Sequence, residues 1–216
     1  MNKSHELSEV IQKAISKSQH CQRNWDIHYP IPQSDIDTLV HAVTQAPSKQ
    51  NVAHYKVTFI QDRKLIESIY ESTSGFYTKD DQSESEKNSQ VLANILVVFE
   101  TYDMANARSP EHRAFHSHED TPEEMEKLMD RDMWTSTGIA SGMLVMTANM
   151  LGYRTGFCSC FDYAEIKEKL GMPEDRDPVM MIGIGKGIKG QLRMVSQDNN
   201  YKYPVFHKQP IPVEFK

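Results

Sequence analysis

One polar segment stands where a helical pattern gives way to a strand-like one, and its side chains suit a bound ligand. Ser48, Gln50 and Asn51 follow Ala46-Pro47, and the chain then enters a run of β-branched and aromatic residues. Hydroxyl and amide groups at such a junction can hydrogen-bond the polar edge of a bound molecule. Asn and Ser also favour ordinary turns, so the residue types alone leave both interpretations open.

A second polar group lies at the end of the first helical pattern, where His20 and Cys21 stand beside Arg23. An arginine offers several donors and a permanent positive charge, which suits a phosphate or a carboxylate. Taken without further context, a surface arginine is the commoner outcome. The segment therefore predicts a candidate anion site, with a solvated surface as the alternative.

Two thiols lie on one face of a predicted strand, at Cys158 and Cys160. No second cysteine pair exists to complete a four-ligand zinc site. Buried thiols are therefore the default interpretation of this pair. Redox chemistry is the alternative.

A histidine cluster gives the sequence its one metal-like pattern. It comprises three histidines and three flanking acids, namely His112, His116, His118, Glu111, Glu119 and Asp120. The spacing of the first two histidines suits one helix face, as in many zinc or nickel sites. No stronger motif surrounds them, so we expect a solvated acidic loop and no metal.

Motifs that would supply a nucleophile or a phosphate cradle are missing from the sequence. It contains no P-loop, no G-x-S-x-G elbow, no H-E-x-x-H and no C-x-x-C, which removes the usual anchors of several hydrolases, kinases and zinc proteins. This favours a cofactor that brings its own reactivity.

Composition and charge limit the partners. The 216 residues carry 24 Lys+Arg against 30 Asp+Glu, a net charge of −6, so nucleic acid and anionic membranes are not expected as partners. Three cysteines do not make a disulfide framework, which suits a reducing cytosol. No apolar run follows the first lysine, so we expect no signal peptide and a cytoplasmic protein.

The elements that must position these groups follow the order α, α, β, α, β, α, α, β, α, β. Predicted strands cover residues 55–61, 93–99, 155–160 and 179–184, and separate helices begin near 121 and at 133. Too few strands are present for an all-β fold, and irregular alternation disfavours a Rossmann domain. We expect one domain over residues 1–216, with a polar insertion at about 103–126 and an extended C-terminal tail from about 191.

The stretch 133–153 carries no charged residue, which makes a membrane span one interpretation. It contains several hydroxyl residues, Asn149 and two glycines, whereas a lipid-facing helix is more uniformly apolar. A helix in a soluble core or at a subunit interface is therefore the better interpretation.

Several segments in a fixed order resemble the nitroreductase-like family of FMN-dependent oxidoreductases. They are Cys21-Gln22-Arg23-Asn24-Trp25, then Ala46-Pro47-Ser48-Lys49-Gln50-Asn51 entering a strand, and a long helix followed by Leu151-Gly152-Tyr153-Arg154-Thr155-Gly156. The resemblance covers roughly residues 8 to 195. It implies an α+β fold, with a mainly antiparallel central sheet surrounded by helices, and a homodimer.

The resemblance also implies roles for individual residues. Arg23 falls where the family binds the FMN phosphate, Cys21 where a phosphate-binding serine is usual, and His20 lies beside them. The loop residues Ser48, Gln50 and Asn51 would line the flavin, and the backbone N–H groups of Ser159 and Cys160 would face its N5 atom. The candidates for a second basic phosphate contact are Lys189 and Arg193. No side chain is expected to act as the catalyst.

Several positions depart from the family pattern. Gln19 replaces an arginine, Cys21 replaces the serine, Ala53 stands where a glutamine is usual, and His54-Tyr55 stands in place of Pro-Trp. Each change removes or weakens a hydrogen-bonding or charged group, or alters the wall of the expected flavin site.

The resemblance implies an enzyme that passes hydride from NAD(P)H through FMN to a nitroaromatic, a quinone or a similar small oxidant. The departures leave one alternative, a flavin-binding or flavin-processing protein with little turnover. A metal-binding protein that uses the histidine cluster is the other.

Overall fold

The computed structural model describes residues 3–74, 87–102, 107–111, 122–188 and 209–215, with only the backbone for 3–5 and 122–129. Within these ranges lie five helices and four strands: α1 (Lys3–Ser18), α2 (Gln33–Thr44), β1 (Tyr55–Ile60), α3 (Arg63–Glu71), β2 (Ile95–Thr101), α4 (Pro122–Met150), β3 (Arg154–Cys158), α5 (Tyr163–Leu170) and β4 (Pro178–Gly185). Two short 3-10 turns, Lys49–Asn51 and Ser89–Val91, precede β1 and β2.

The four strands form a single antiparallel sheet in the order β1-β2-β4-β3. In its register Val57 lies opposite Phe99, and Thr155 lies opposite Ile184. The predicted α+β class with a mainly antiparallel sheet is confirmed. β1 and β3 are its two edge strands, which matters for the site described below.

Helices cover both faces of the sheet, and each face has its own apolar core. Helices α2 and α4 cover one face through buried residues that include Leu39, Val43, Leu144 and Ala148. Helices α3 and α5 cover the other through Ile66, Ile69 and Ile166. A strand in the middle of such a sheet has no solvent face, and six of the seven β2 residues are accordingly buried.

Strand β3 ends two residues earlier than predicted. The predicted strand 155–160 included Ser159 and Cys160, whereas the observed strand ends at Cys158. The chain leaves the sheet here because the Cys160 carbonyl accepts from the backbone N–H of Ser74 at 2.8 Å, and Phe161 forms a bridge with Thr73. Both residues therefore lie in a loop next to the edge of the sheet.

The two helices predicted after residue 121 are one continuous helix. α4 runs for 29 residues from Pro122 to Met150, so the prediction of a separate helix starting at 133 is wrong. No proline or glycine lies between Pro122 and Gly138, and the charges near Asp130 can remain on the solvent side of a helix. The charge composition changes along this helix, but without a helix-breaking residue the backbone stays helical.

One face of α4 and one face of α1 leave apolar side chains exposed. We call Ile139, Met143 and Met150 the α4 stripe; their exposed fractions are 40%, 36% and 47%. In α1, Leu7 and Ile15 are also exposed, although the sequence pattern suggests a buried face. The described part of the tail, residues 209–215, has neither helix nor strand, and its side chains are exposed. Among the described residues, no helix is both long and apolar enough to cross a membrane.

Candidate functional site

The segment after α1 lies along the ends of β3 and β4. The backbone N–H of Gln22 donates to the carbonyl of Thr155 at 2.9 Å, and Trp25 pairs with Gly187 beyond β4. The Trp25 indole N–H donates to the Ser89 carbonyl at 3.0 Å. These bonds fix the segment that carries Arg23 against the β3 edge of the sheet.

Close approach of this segment requires glycine at two positions. A Cβ on Gly156 would lie 2.7 Å from the Gln22 carbonyl oxygen and 2.9 Å from Gln90 Cβ. A Cβ on Gly187 would lie 2.7 Å from the Arg154 side chain and 2.8 Å from that of Gln22. Real side chains do not tolerate such distances, so these glycines allow the segment to dock.

Arg23 is half-buried and is held by Gln90, which lies in the 3-10 turn before β2. With its amide oriented to satisfy both neighbours, Gln90 accepts from Arg23 Nη2 at 2.7 Å and donates to the Phe157 carbonyl. An amide that is fixed on one side by backbone holds a guanidinium in a defined position. The arginine is therefore part of the structure at this edge and is not a solvated surface side chain.

The two thiols of Cys158 and Cys160 lie in the same place. Their Sγ atoms are 3.7 Å apart, and Asn88 Nδ2 donates to Cys160 Sγ at 3.1 Å. The hydrogen bond from Cys158, those from Asn88 and its own backbone, and the charge of Arg23 lower the pKa of the Cys160 thiol to about 6, against the opposing effect of burial. The hydrogen bond to Cys160 and burial raise the pKa of Cys158.

Cys160 presents a backbone donor as well as a thiol. Its side chain is exposed, and its N–H makes no hydrogen bond to another residue that the structure describes. A backbone N–H near the positive charge of Arg23 can stabilise negative charge on a bound molecule. The geometry at the end of β3 therefore suits an anionic or electron-rich ligand.

The other predicted residues occupy a tight turn before β1. Gln50 and Asn51 have left-handed backbone angles, with φ of 54° and 56°, a conformation that Asn tolerates better than most residues. Ser48 and Asn51 line a cleft of about 730 Å³ that extends from Val43 to Val57. Polar and apolar groups share this cleft, as in many ligand sites.

Within one chain the two sets of residues lie at opposite edges of the sheet. The turn that contains Ser48, Gln50 and Asn51 leads into β1, whereas Ser159 and Cys160 follow β3, three strand spacings away. At about 4.8 Å per spacing the edges are roughly 14 Å apart. The structure brings Arg23 and Cys160 together, but it does not bring the turn to them.

The remaining predicted residues contribute less to this arrangement. His20 and Cys21 are exposed, and Gln19 donates back to the Ser16 carbonyl at 3.2 Å. Lys189 and Arg193 lie outside the described residues, as do the histidines at 112, 116 and 118. No group of three or more potential metal ligands occurs in the part of the chain that the structure describes.

A buried histidine lies next to the turn at residues 48–51. His54 is 4% exposed, and neither of its ring nitrogens has a hydrogen-bond partner among the described residues. Burial lowers the pKa of His54, although Asp132 nearby opposes this. Asp132 is bound by Lys49 at 2.8 Å. Burial therefore favours the neutral form of this histidine. The Lys49–Asp132 ion pair anchors the turn at residues 48–51 to α4.

Sequence reasoning missed Asn88 and Gln90. Gln90 lies in the 3-10 turn Ser89–Val91, and Asn88 caps this turn through its side chain, which accepts from the Gln90 N–H at 3.1 Å. Their targets, Cys160 and Arg23, are more than 60 residues away in the chain. The sequence offers one sign of Asn88 and Gln90: two amide residues stand shortly before an apolar run. Such groups become buried with the strand and then need hydrogen-bond partners.

A family model described as the nitroreductase family matches residues 17–186. Solved structures similar to this chain include a protein from Exiguobacterium sibiricum assigned as a nitroreductase and crystallised with FMN (20% identity, 88% of this chain and 94% of that chain, TM-score 0.62). Another, from Staphylococcus epidermidis and assigned as an NAD(P)H:FMN oxidoreductase, is 19% identical over 89% of this chain and 95% of its own, with a TM-score of 0.62.

A nitroreductase family protein from Clostridium novyi NT is also similar, at 19% identity over 83% of this chain and 85% of its own, with a TM-score of 0.58. At these identities the structural likeness establishes the fold, whereas the family match rests on the sequence. No curated protein matches the chain.

Proposed function

Since the chain belongs to the nitroreductase family, we propose that it is an FMN-dependent oxidoreductase that passes hydride from NAD(P)H to a nitroaromatic, a quinone or a similar small oxidant. FMN, when bound, supplies the redox chemistry, because its ring accepts a hydride at N5 and delivers it to an oxidant. The task of the protein is to bind the cofactor, orient the two substrates and stabilise charge.

The observation that carries this proposal is the backbone N–H of Cys160 beside Arg23. This N–H makes no hydrogen bond to another described residue, and the positive charge of Arg23 acts on the same loop. A backbone donor directed at the flavin ring and a nearby guanidinium both favour the reduced, anionic cofactor. The donor set therefore fits FMN without a catalytic side chain.

Arg23 has a position that favours the ring over the phosphate. The arginine is linked to Gln90, whose turn also carries the Asn88 that bonds Cys160. A ribityl chain separates the phosphate of FMN from its ring. Arg23 lies close enough to Cys160 for its charge to act on that residue, so both groups would contact the same part of the cofactor. We propose Arg23 as the charge beside the ring and retain Lys189 and Arg193 as candidates for the phosphate.

The position of the turn at residues 48–51 favours a homodimer. Ser48 and Asn51 lie at the β1 edge, about 14 Å from the β3 edge that carries Cys160. A second copy of the chain brings its own turn to the open side of that edge. We therefore propose that FMN binds between subunits, with Ser48, Gln50 and Asn51 contributed by the partner.

The exposed apolar surface supplies an interface for that dimer. The α4 stripe and the exposed side chains Leu7 and Ile15 of α1 belong to two helices that pack against each other. In the described tail, Ile211 and Phe215 are 69% and 93% exposed. Clustered exposed apolar residues mark interaction surfaces, and a tail of this kind suits contact with a partner subunit.

Flavin retention tests the proposal directly. The full chain is incubated with FMN, desalted, and examined by visible absorption, alongside Arg23→Ala and the control Arg131→Ala. Arg131 is an exposed arginine, and its side chain bonds its neighbour Asp132. We expect the wild type and the control to retain FMN, and Arg23→Ala to lose at least tenfold in affinity.

NAD(P)H oxidation with a quinone then separates an enzyme from a binding protein. A chain that retains FMN but does not oxidise either nucleotide would support the alternative of a flavin-binding protein, which the departures at Gln19 and Cys21 favour. A chain that retains no FMN would overturn the proposed function.

A further inference from the structure

The paired thiols at the end of β3, Cys158 and Cys160, have an arrangement that flavin binding does not explain. We propose that Cys158 and Cys160 form a redox-active pair that reduces small-molecule disulfides by thiol–disulfide exchange. This activity rests on the proposed function in no step: it involves the side chains of the two cysteines, whereas the proposed flavin site uses the backbone N–H of Cys160 and not its thiol. The two activities can therefore be tested separately.

The distance between the two sulfur atoms permits a disulfide. The Sγ atoms are 3.7 Å apart and would move to about 2.05 Å in a bond. Cys160 is beyond the last residue of β3, and its carbonyl is held by the Ser74 N–H. The sulfur atoms therefore approach each other by rotation of the side chains.

The two thiols differ in access, as an attacking and a resolving cysteine must. Cys160 is exposed, whereas Cys158 is only 2% exposed. Asn88 donates to Cys160 Sγ at 3.1 Å, and Arg23 adds positive charge. Both contacts stabilise a thiolate at Cys160, and the low pKa of this thiol agrees with them.

The chemistry balances within the pair and its substrate. The Cys160 thiolate attacks one sulfur of a small disulfide, forms a mixed disulfide and releases the first thiolate. The Cys158 thiol then passes its proton to the released first thiolate and attacks Cys160 Sγ, which releases the second thiolate to be protonated by solvent and leaves a Cys158–Cys160 disulfide. One substrate disulfide is reduced to two thiols, and the two cysteines are oxidised. A dithiol reductant restores the pair.

The test uses the reduced full chain, without flavin, mixed with oxidised glutathione. The parent chain and all variants carry Cys21→Ser, because the exposed Cys21 thiol would otherwise react as well. After an acid quench and alkylation of free thiols, peptide mass spectrometry locates each disulfide. We expect a Cys158–Cys160 disulfide, no retained glutathionyl group, and two glutathione thiols released per chain.

Two further variants assign the roles. Cys158→Ser should trap one glutathionyl group on Cys160, because no resolving thiol remains. Cys160→Ser should react at least tenfold more slowly, because Cys158 is buried. Circular dichroism and the melting temperature confirm that each variant is folded.

Clear results would overturn the proposal. A parent chain that keeps a glutathionyl group on Cys160 would show that Cys158 does not resolve the mixed disulfide. A parent chain that reacts no faster than Cys160→Ser would show that Cys160 is not an attacking thiolate. The test for a retained glutathionyl group uses the parent chain alone, so its outcome stands even if a variant misfolds.

Discussion

The hydroxyl of Tyr153, immediately before β3, donates a hydrogen bond of 2.6 Å to Asp35 Oδ2 in α2. Tyr153 is 4% exposed, so the bond ties a sheet edge to a covering helix away from solvent. A hydrogen bond to a charged acceptor contributes about 2 kcal/mol. We expect Tyr153→Phe to lower the free energy of unfolding in urea by roughly that amount.

The same bond predicts an alkaline transition. Burial, with the Asp35 carboxylate, raises the pKa of Tyr153. Because the pKa is raised, this stabilising contribution is fully present below the unfolded value of about 10 and is lost progressively as the pH rises from there towards the higher folded value. The difference in the free energy of unfolding in urea between wild type and Tyr153→Phe should therefore be constant from pH 8 to 10 and should shrink between pH 10 and 11. The control Tyr163→Phe alters an exposed ring and keeps Tyr153. Its free energy of unfolding should match that of the wild type at each pH.

Docking of the N-terminal segment depends on Gly156. A methyl group there would lie 2.7 Å from the Gln22 carbonyl, and overpacking of this kind costs about 1–3 kcal/mol. We expect Gly156→Ala to lower the melting temperature and to weaken FMN retention, because Arg23 moves with the segment. Gly138→Ala adds the same group where nothing lies within 4 Å, and it should retain FMN. Equal retention by both variants would contradict the proposed role of the segment.

Alkylation of Cys160 should depend on pH. A pKa of about 6 means that the reactive thiolate is present above pH 6 and is lost as the pH falls through that value. The rate of iodoacetamide labelling, measured by peptide mass spectrometry, should therefore rise between pH 5 and 7 at Cys160. Asn88→Ala removes a donor to the sulfur and should shift this rise to higher pH. An unshifted rise would show that Asn88 does not stabilise the thiolate.

The α4 stripe predicts the oligomeric state. Analytical ultracentrifugation of the wild type should give a dimer, and Met143→Arg should give a monomer, because a charge cannot be buried there without a partner. Val40 is similarly exposed, on α2, and Val40→Arg should remain dimeric. A monomeric wild type, or a dimeric Met143→Arg, would exclude the α4 stripe as the interface.

Local patterns were sufficient for most of the fold. The apolar run that predicts β2 is buried on both faces as expected, and Asp162 caps α5 by accepting from the Glu165 N–H at 3.0 Å, while Gly171 closes it with φ of 59°. Each of these features depends on neighbours within a few residues. Boundaries set by distant groups, such as the end of β3 at Cys158, were placed less well.

The candidate site divides in the same way. Arg23 and Cys160 could be selected from the sequence because the family resemblance fixes their order and spacing. Asn88 and Gln90 could not, since their partners lie more than 60 residues away. The separation of Ser48 from Cys160 follows from the strand order, which residue periodicity does not encode.

The placement of β1 and β3 at opposite edges links cofactor affinity to protein concentration. In the proposed arrangement each FMN contacts two chains, so binding of FMN and association of subunits are thermodynamically coupled. Dilution that dissociates the dimer would release the cofactor, and added FMN would in turn draw monomers together. Apparent FMN affinity would then be a property of the assembly, not of a single subunit.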